Sequence, residues 1–146
     1  MNKSHKEVSE TWFRRVWTEQ DESAIDDMLV PETKARGLND STLPPRTGPE
    51  EFKVFHRLLL GVIDEVYVHI EHLMSEGDWA SVLCRLEAVS RVTREKVEMR
   101  GHVLVKIIDG KLVDAHNHFD FISLFEQLKL MPNNAFSTCI GGNKIA

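Results

Sequence analysis

Apolar residues in the first part of the chain recur at the spacing of an α-helix. Ser4 stands where an N-terminal cap is expected, with Glu7 three residues later. The apolar face of this first helix is formed by Val8, Trp12, Phe13, Val16 and Trp17. We therefore predict an amphipathic helix that packs an aromatic face against the rest of the protein.

Three further elements follow before the pattern changes. A short helix is predicted to begin at Asp21, which would cap it, and to stop at Pro31. Residues 32–39 favour a short strand, and residues 40–48, with two prolines, favour a loop. A third helix is predicted from Pro49, because proline suits the first turn of a helix. Its predicted buried stripe consists of Phe52, Phe55, Leu59 and Val62.

From Glu65 onward the apolar period changes to about two residues, which is typical of β-strands. Four strands are predicted, and the last of them runs over residues 112–121. The turns between them are predicted at residues 77–78, 93–95 and 109–110. The third turn is an Asp-Gly pair, the strongest hairpin signal in the chain. A last helix is predicted over residues 123–129.

The order of these elements predicts the fold class. Helices come first and a run of strands follows, which is the segregated order of an α+β domain. A long antiparallel sheet twists and curls, so three to four helices across its hollow side would close a cone. Such a cone leaves an internal, mostly apolar pocket. We predict one domain over residues 1–131 and a loose C-terminal tail over residues 132–146.

Composition narrows the classes of function. The formal net charge is -5 and the basic residues are scattered, which argues against nucleic acid as a partner, since phosphate binding needs clustered cations. Cys84 and Cys139 indicate neither a disulfide framework nor a zinc cluster. No apolar run approaches the ~20 residues that cross a bilayer, and no signal-peptide pattern is present. We expect a cytoplasmic protein that binds a small molecule and no membrane.

The last predicted strand carries the most unusual polar pattern. Strand alternation places Asp114, His116, His118 and Asp120 on one face, and mostly apolar residues with Asn117 on the other. Three interpretations are open. Asp120 could act as a general acid or base with a histidine partner. The two histidines and Asp120 could instead bind a metal, or all of these residues could form a wet face of the sheet.

Other residues could contact a ligand inside such a cone. Arg36, in the short predicted strand, could hold a carboxylate or enolate oxygen, although a surface position is also open. His56 is typical of a half-exposed histidine on a helix. The residues that we expect to contact the ligand are Arg36, Trp12, Phe52, Phe55, His56 and Met99. No glycine-rich phosphate loop is present, so we expect no nucleotide cofactor.

Several segments taken together resemble one known family. They are residues 12–27, 48–55, 76–78, 100–101, 109–113 and 120–128. In order and spacing they are similar to the SnoaL-like polyketide cyclases, which belong to the wider nuclear-transport-factor-2-like superfamily. The resemblance extends from Val8 to about Leu130, and the closing segment DFISLFEQL looks most like the family.

The resemblance implies a cone-shaped fold that usually forms a homodimer through its sheet. It also implies a reaction without a metal or an organic cofactor. In cyclase members, an aspartate at the end of the last strand is the general acid-base in the intramolecular aldol closure of a polyketide ester. Asp120 fits that role, with His116 or His118 to tune it and Arg36 to hold an anionic group.

Three positions depart from the family pattern. His116 stands where a tryptophan is common, Val103 stands where a polar residue often faces the pocket, and Arg36 stands near a common histidine. Two functions therefore stay open. The first is a cofactor-independent cyclase or isomerase-type enzyme that uses Asp120 on a small, partly apolar substrate. The alternative is a non-catalytic small-molecule-binding or dimerisation domain of the same fold.

Overall fold

A computed structural model describes residues 3–145, and it confirms the α+β class. The helices of this part of the chain are α1 (His5–Trp12), α2 (Ser23–Met28), α3 (Gly48–Leu60), α4 (Phe121–Gln127) and α5 (Ala135–Ile140). A π-helical segment, Phe13–Thr18, continues α1. The strands are β1 (Leu29–Arg36), β2 (Arg46–Thr47), β3 (Ile63–Glu76), β4 (Trp79–Ser90), β5 (Lys96–Ile108) and β6 (Lys111–Phe119).

The strands form one curved sheet in the order β2-β1-β6-β5-β4-β3. The predicted four-strand meander corresponds to β3–β6, and these four strands pair antiparallel with one another. β1 runs parallel to β6, with Ala35 opposite Ala115. The registers of β3–β4 and β5–β6 shift at irregularities such as that between Lys106 and Ile107. Such bulges increase strand twist and help the sheet to curl.

The core lies between the concave face of the sheet and the helices. Burial alternates along β4 and β5, as the period of two residues predicts. The helical side of the core includes Trp12 of α1 and Phe52 of α3, whose rings meet edge to face with centroids 5.2 Å apart. The cap predicted for α1 is confirmed, because the Ser4 hydroxyl accepts a hydrogen bond from the Glu7 backbone N–H.

Two predicted boundaries in the first half of the chain are wrong. Helix α2 ends at Met28, so Pro31 does not stop a helix but lies inside β1. The predicted loop over residues 40–48 contains β2, which pairs with β1 and is too short for any apolar period to show. Asp21 does support the start of α2, because its Oδ1 accepts hydrogen bonds from the N–H and hydroxyl of Ser23.

The tail from residue 132 onward contains α5, which the sequence pattern did not predict. Ala135 is buried, whereas Phe136 and Ile140 are exposed. A loose attachment of this tail stays a prediction. None of the helices formed by residues 3–145 is long and apolar enough to cross a membrane.

Gly37 allows the chain to leave β1 tightly against β6. Its φ is +86°, and a Cβ at this position would lie 1.9 Å from the backbone oxygen of Asn117. A side chain here would therefore be excluded both by the backbone conformation and by the neighbouring strand. The close approach brings β1 and β6 together at one end of the concave face.

We predict that Gly37→Ala lowers the free energy of unfolding by more than the ~1 kcal/mol expected for a positive φ alone, because the neighbouring backbone must also move. Gly77→Ala is the matched control, since Gly77 also has a positive φ but a Cβ there would meet nothing within 4 Å. Urea unfolding of both variants measures the difference. Equal losses in the two variants would show that β1 and β6 are not held closely at Gly37.

Candidate ligand-binding site

The concave face and the helices enclose a cavity of about 70 Å³. Its wall combines residues of α1, the π-helical segment, α3 and strands β1 and β3–β6. Most of the wall is apolar, and the polar side chains in it are Ser9, Thr33 and Asn117. No titratable side chain belongs to the wall within the described part of the chain. Its chemistry therefore favours an apolar ligand that makes few hydrogen bonds.

Aromatic side chains form the helical side of the wall. Phe52 and Phe55 lie on α3, and Trp17 of the π-helical segment contacts both of them at centroid distances of 6.3 and 6.1 Å. These contacts are edge to face, which is a favoured arrangement of aromatic rings. Trp12, Phe52, Phe55 and Met99 of the predicted ligand contacts all lie in the wall. Their contact with a ligand stays a prediction.

Phe119 and Phe121 contribute further aromatic rings to the wall, from β6 and from the start of α4. Phe121 lies 6.3 Å from Phe55 and 6.0 Å from Phe119, between ring centroids. The Phe119 ring lies over Gly101 on the neighbouring strand, where a Cβ would be only 2.0 Å from a ring carbon. The glycine therefore makes room for the ring.

The polar side chains of the wall differ in how well they are paired. The Thr33 hydroxyl donates to the Leu112 carbonyl at 2.7 Å and accepts from the Val30 N–H at 2.9 Å. Asn117 donates through Nδ2 to the Arg36 carbonyl at 3.0 Å.

Ser9 is the polar wall residue that lacks a partner. It is 5% exposed, and its hydroxyl makes no hydrogen bond within residues 3–145. An unpaired buried hydroxyl costs about 1–3 kcal/mol. A ligand or water that bonds to Ser9 would recover part of that cost.

His56 is not the half-exposed residue that the sequence predicted, because it is 1% exposed. It lies on the buried stripe of α3, one turn after Phe52. Its Nε2 donates to the Val16 carbonyl at 2.7 Å, and its ring centroid lies 5.0 Å from that of Trp17. His56 is absent from the cavity wall. It therefore supports the π-helical segment from behind Trp17, where a ligand in the cavity would not touch it.

The structure places His116 and His118 on the outer, convex face of the sheet. Ala115, Asn117 and Phe119 line the cavity, so strand alternation directs the two histidines away from it. His118 is exposed and pairs across strands with His102. The expectation that these histidines face the pocket is wrong. The sequence separated the two faces of the strand, but the face that carries the histidines is the outer one.

Asp120 also lies outside the cavity wall. It is exposed, and its Oδ1 accepts a hydrogen bond from the Ser123 N–H at 3.1 Å, which caps α4. It stands in the chain between Phe119 and Phe121, both of which are wall residues. Asp120 is therefore next to wall residues in the sequence, but its carboxylate caps α4 and does not line the cavity.

Arg36 does not point into the cavity either. Its guanidinium forms an ion pair with Asp114 on the outer face, and Nη1 lies 3.4 Å from Nε2 of His116. The parallel pairing of β1 with β6 places Arg36 opposite His116 and so fixes it on that face. Arg36 is therefore not placed to hold an anionic group in the cavity, and it lies instead in an open, polar depression on the outer face.

The metal interpretation gains no support from the geometry. Within the described residues, no group of three or more His, Cys, Asp or Glu side chains is placed to hold a metal ion. His116 and His118 alternate along one strand with an exposed aspartate after them, and no further ligand converges on them in that part of the chain.

Cys84 is buried on β4 between two wall residues, Val82 and Leu86. Burial raises the pKa of its thiol to about 12, and the charge of Glu71 adds to this effect. A thiol with such a pKa is protonated at neutral pH and is a poor nucleophile. Nucleophilic catalysis by Cys84 is therefore disfavoured.

Sequence analysis missed Arg46, which the structure brings to the edge of the cavity. Arg46 was assigned to a loop, but it lies on β2 with its guanidinium 5.6 Å from the Phe55 ring centroid. Sequence analysis also missed wall roles for Ser9, Asn117, Phe119 and Phe121. Strand alternation carried the signal for Asn117 and Phe119, whereas nothing local marked Arg46.

The model of the SnoaL-like polyketide cyclase family matches residues 7–128 of this chain. The chain belongs to that family. The match begins within α1, covers α2, α3, α4 and the whole sheet, and ends before α5. A comparison with curated proteins finds no match.

Solved structures share the fold at low sequence identity. TsrD from Streptomyces laurentii is 18% identical with a TM-score of 0.69, over 84% of this chain and 92% of that chain. IdmH from Streptomyces antibioticus is 15% identical with a TM-score of 0.71, over 85% and 97%. A Catenulispora acidiphila protein with a ketosteroid isomerase-like fold, in complex with trimethylamine, is 13% identical with a TM-score of 0.72, over 86% and 95%. At these identities the likeness establishes the fold alone.

Proposed function

We propose that this SnoaL-like protein binds a small, mainly apolar molecule in its cavity, and that this binding serves a cyclase-type reaction. The observation that carries the proposal is a largely apolar cavity wall, aromatic on its helical side, that contains an unpaired serine hydroxyl. Cavities with these properties are the usual binding sites of small ligands. The family match supports the reaction type.

The size of the cavity constrains how a ligand enters. Its volume of about 70 Å³ is well below the range of roughly 300–1,000 Å³ that is usual for ligand pockets. A ligand of ordinary size must therefore displace side chains. Phe55 and Phe121 suit this role, because both are only half-buried and their rings meet at 6.3 Å. Rotation of either ring would widen the cavity without disturbing the sheet.

We predict that Val103→Phe weakens binding of the neutral probe 3-phenylpropanamide at least tenfold, because the larger side chain fills the cavity from β5. Tryptophan fluorescence reports the binding, since Trp12 and Trp17 are in the wall whereas Trp79 lies elsewhere. Ile108→Phe, an exposed position farther along β5, is the control and should bind as the unmodified protein does. Equal affinity in both variants would mean that the probe binds outside the cavity.

We further propose Asp120 as the group that moves the proton in the reaction. Support comes from the resemblance of the closing segment to the family, in which an aspartate at the end of the last strand has this role, and from the place of Asp120 between two wall residues, Phe119 and Phe121. In the structure, the Asp120 carboxylate is hydrogen-bonded to the Ser123 N–H and lies outside the cavity wall. To act as a base, the carboxylate must release the α4 cap and turn inward when the aromatic rings move.

We predict that Asp120→Asn slows proton exchange about a hundredfold or more, because an amide cannot take the proton. The probe is 4-phenyl-2-butanone, and NMR follows deuterium exchange at its carbons beside the carbonyl. Asparagine is as good a helix cap as aspartate, so stability should change by only a few tenths of a kcal/mol. Asp120→Ala, which also removes the cap, should lose about 1 kcal/mol. Exchange at an unchanged rate in Asp120→Asn would rule out this role.

The alternative function is non-catalytic binding of the same kind of ligand. It is favoured by the lack of any titratable side chain in the described cavity wall. Under this alternative, the neutral probe binds and Val103→Phe weakens its binding, but no variant changes the rate of proton exchange. A location in the cytoplasm and the lack of a nucleic-acid partner stay predictions.

We also propose that the outer face of the sheet pairs with a second copy of the chain. Leu83 and Leu104 are exposed on this face, on neighbouring strands. Exposed apolar side chains on a sheet face indicate an interaction surface when they adjoin one another.

We predict that sedimentation of the unmodified protein gives the mass of a dimer, and that Leu104→Lys shifts it to a monomer by burying a charge in the contact. Leu58→Lys, an exposed leucine on α3, is the control and should leave the dimer intact. A dimer that survives Leu104→Lys, or a monomer without any substitution, would contradict the proposal.

A further inference from the structure

Arg46 reaches the cavity side of the sheet because of the register of β2. In the antiparallel pair β1–β2, Arg46 stands directly opposite Ala35. Side chains of residues directly opposite each other lie on the same face of a sheet. Ala35 is part of the cavity wall. The Arg46 side chain therefore starts on the concave face, at the edge of the cavity.

Two contacts hold the Arg46 side chain at that edge. Its Nε donates a hydrogen bond to the Leu38 carbonyl at 2.8 Å. Its guanidinium carbon lies 5.6 Å from the centroid of the Phe55 ring, within the range of a cation–π contact. Leu38 and Phe55 are both wall residues, and Arg46 itself is half-buried. The guanidinium is therefore positioned beside the cavity before any ligand arrives.

Arg46 differs from the other arginines in its lack of an anionic partner. Every other arginine of the chain lies within 4.0 Å of a carboxylate oxygen. Arg46 has no such ion pair with any residue between 3 and 145, and its Nη1 and Nη2 form no hydrogen bond within the same range. Arg36, by contrast, is paired with Asp114.

We propose that Arg46 binds a carboxylate of the ligand, whose apolar part occupies the cavity. A guanidinium presents two parallel N–H groups that match the two oxygens of a carboxylate. The Phe55 ring lies beside the guanidinium, and Nη1 and Nη2 form no hydrogen bond within residues 3–145, so both are available to a ligand. The substrate class is thus a small apolar molecule with one carboxylate at the end nearest β2. This inference rests on the cavity proposal made above.

The test compares two probes of nearly equal shape, the anion 3-phenylpropanoate and the neutral amide 3-phenylpropanamide. We expect the unmodified protein to bind the anion at least about tenfold more tightly, as charge-assisted hydrogen bonds predict. Arg46→Gln should abolish this preference and leave the affinity for the amide nearly unchanged. Arg46→Lys, which keeps the charge but not the paired geometry, should retain only part of it.

Arg36→Gln is the matched control, because it removes an arginine from the opposite face of the same sheet. It should keep the full preference for the anion. Equal binding of the two probes by the unmodified protein would overturn the role of Arg46, and so would a preference that survives Arg46→Gln. Loss of the preference in Arg36→Gln would place the anion on the outer face and would also overturn it.

The outcomes separate this inference from the cavity proposal. If the amide binds and Val103→Phe weakens it, the cavity proposal stands whatever happens to the anion. If neither probe binds the unmodified protein, both the cavity proposal and the role of Arg46 fail. Circular dichroism of each variant checks that the fold is retained. If Arg46→Gln is less stable, Arg46→Lys gives a second measurement of the preference for the anion.

Discussion

The burial of the concave face of the sheet beneath aromatic side chains is the interaction on which the rest of the molecule depends. A curled sheet leaves a hollow that its own strands cannot fill, and Trp12, Trp17, Phe52 and Phe55 pack into it from the helical side. Large rings that meet edge to face pack well but leave gaps, because flat, rigid groups cannot adapt to every surface. The cavity is what remains of the hollow. Stability and ligand binding therefore draw on the same side chains.

Much of the fold follows from local patterns in the sequence. The change of apolar period near Glu65 separates helices from strands, and the Asp109-Gly110 pair marks the last hairpin, which the structure has between β5 and β6. Alternation divides residues 114–119 of the last strand into two faces correctly, but an irregularity before them places Leu112 rather than Val113 in the cavity wall. Alternation alone does not say which face is inner. The polar residues of that strand drew attention away from Ala115 and Phe119, although apolar character was the better guide to the inner face.

The candidate site was harder to predict because it depends on contacts between distant parts of the chain. Arg36 is neutralised by Asp114, 78 residues away, and only the pairing of β1 with β6 brings them together. Arg46 lies on a strand of two residues, where no period can be recognised. The buried Nε2 of His56 finds its partner in the Val16 carbonyl of the π-helical segment, 40 residues away. None of these partners can be inferred from neighbours in sequence.

In the π-helical segment, Phe13–Thr18, the shape of the cavity wall can change without a change in the sheet. A π-turn holds one more residue than an α-turn, and each residue of an α-helix turns the chain by about 100°. Loss or gain of a single residue there would rotate Trp12 relative to Trp17 by roughly that angle, while the strands keep their register. A change in chain length in this segment is thus one step, besides substitution of wall residues, by which such a cone could acquire a differently shaped interior.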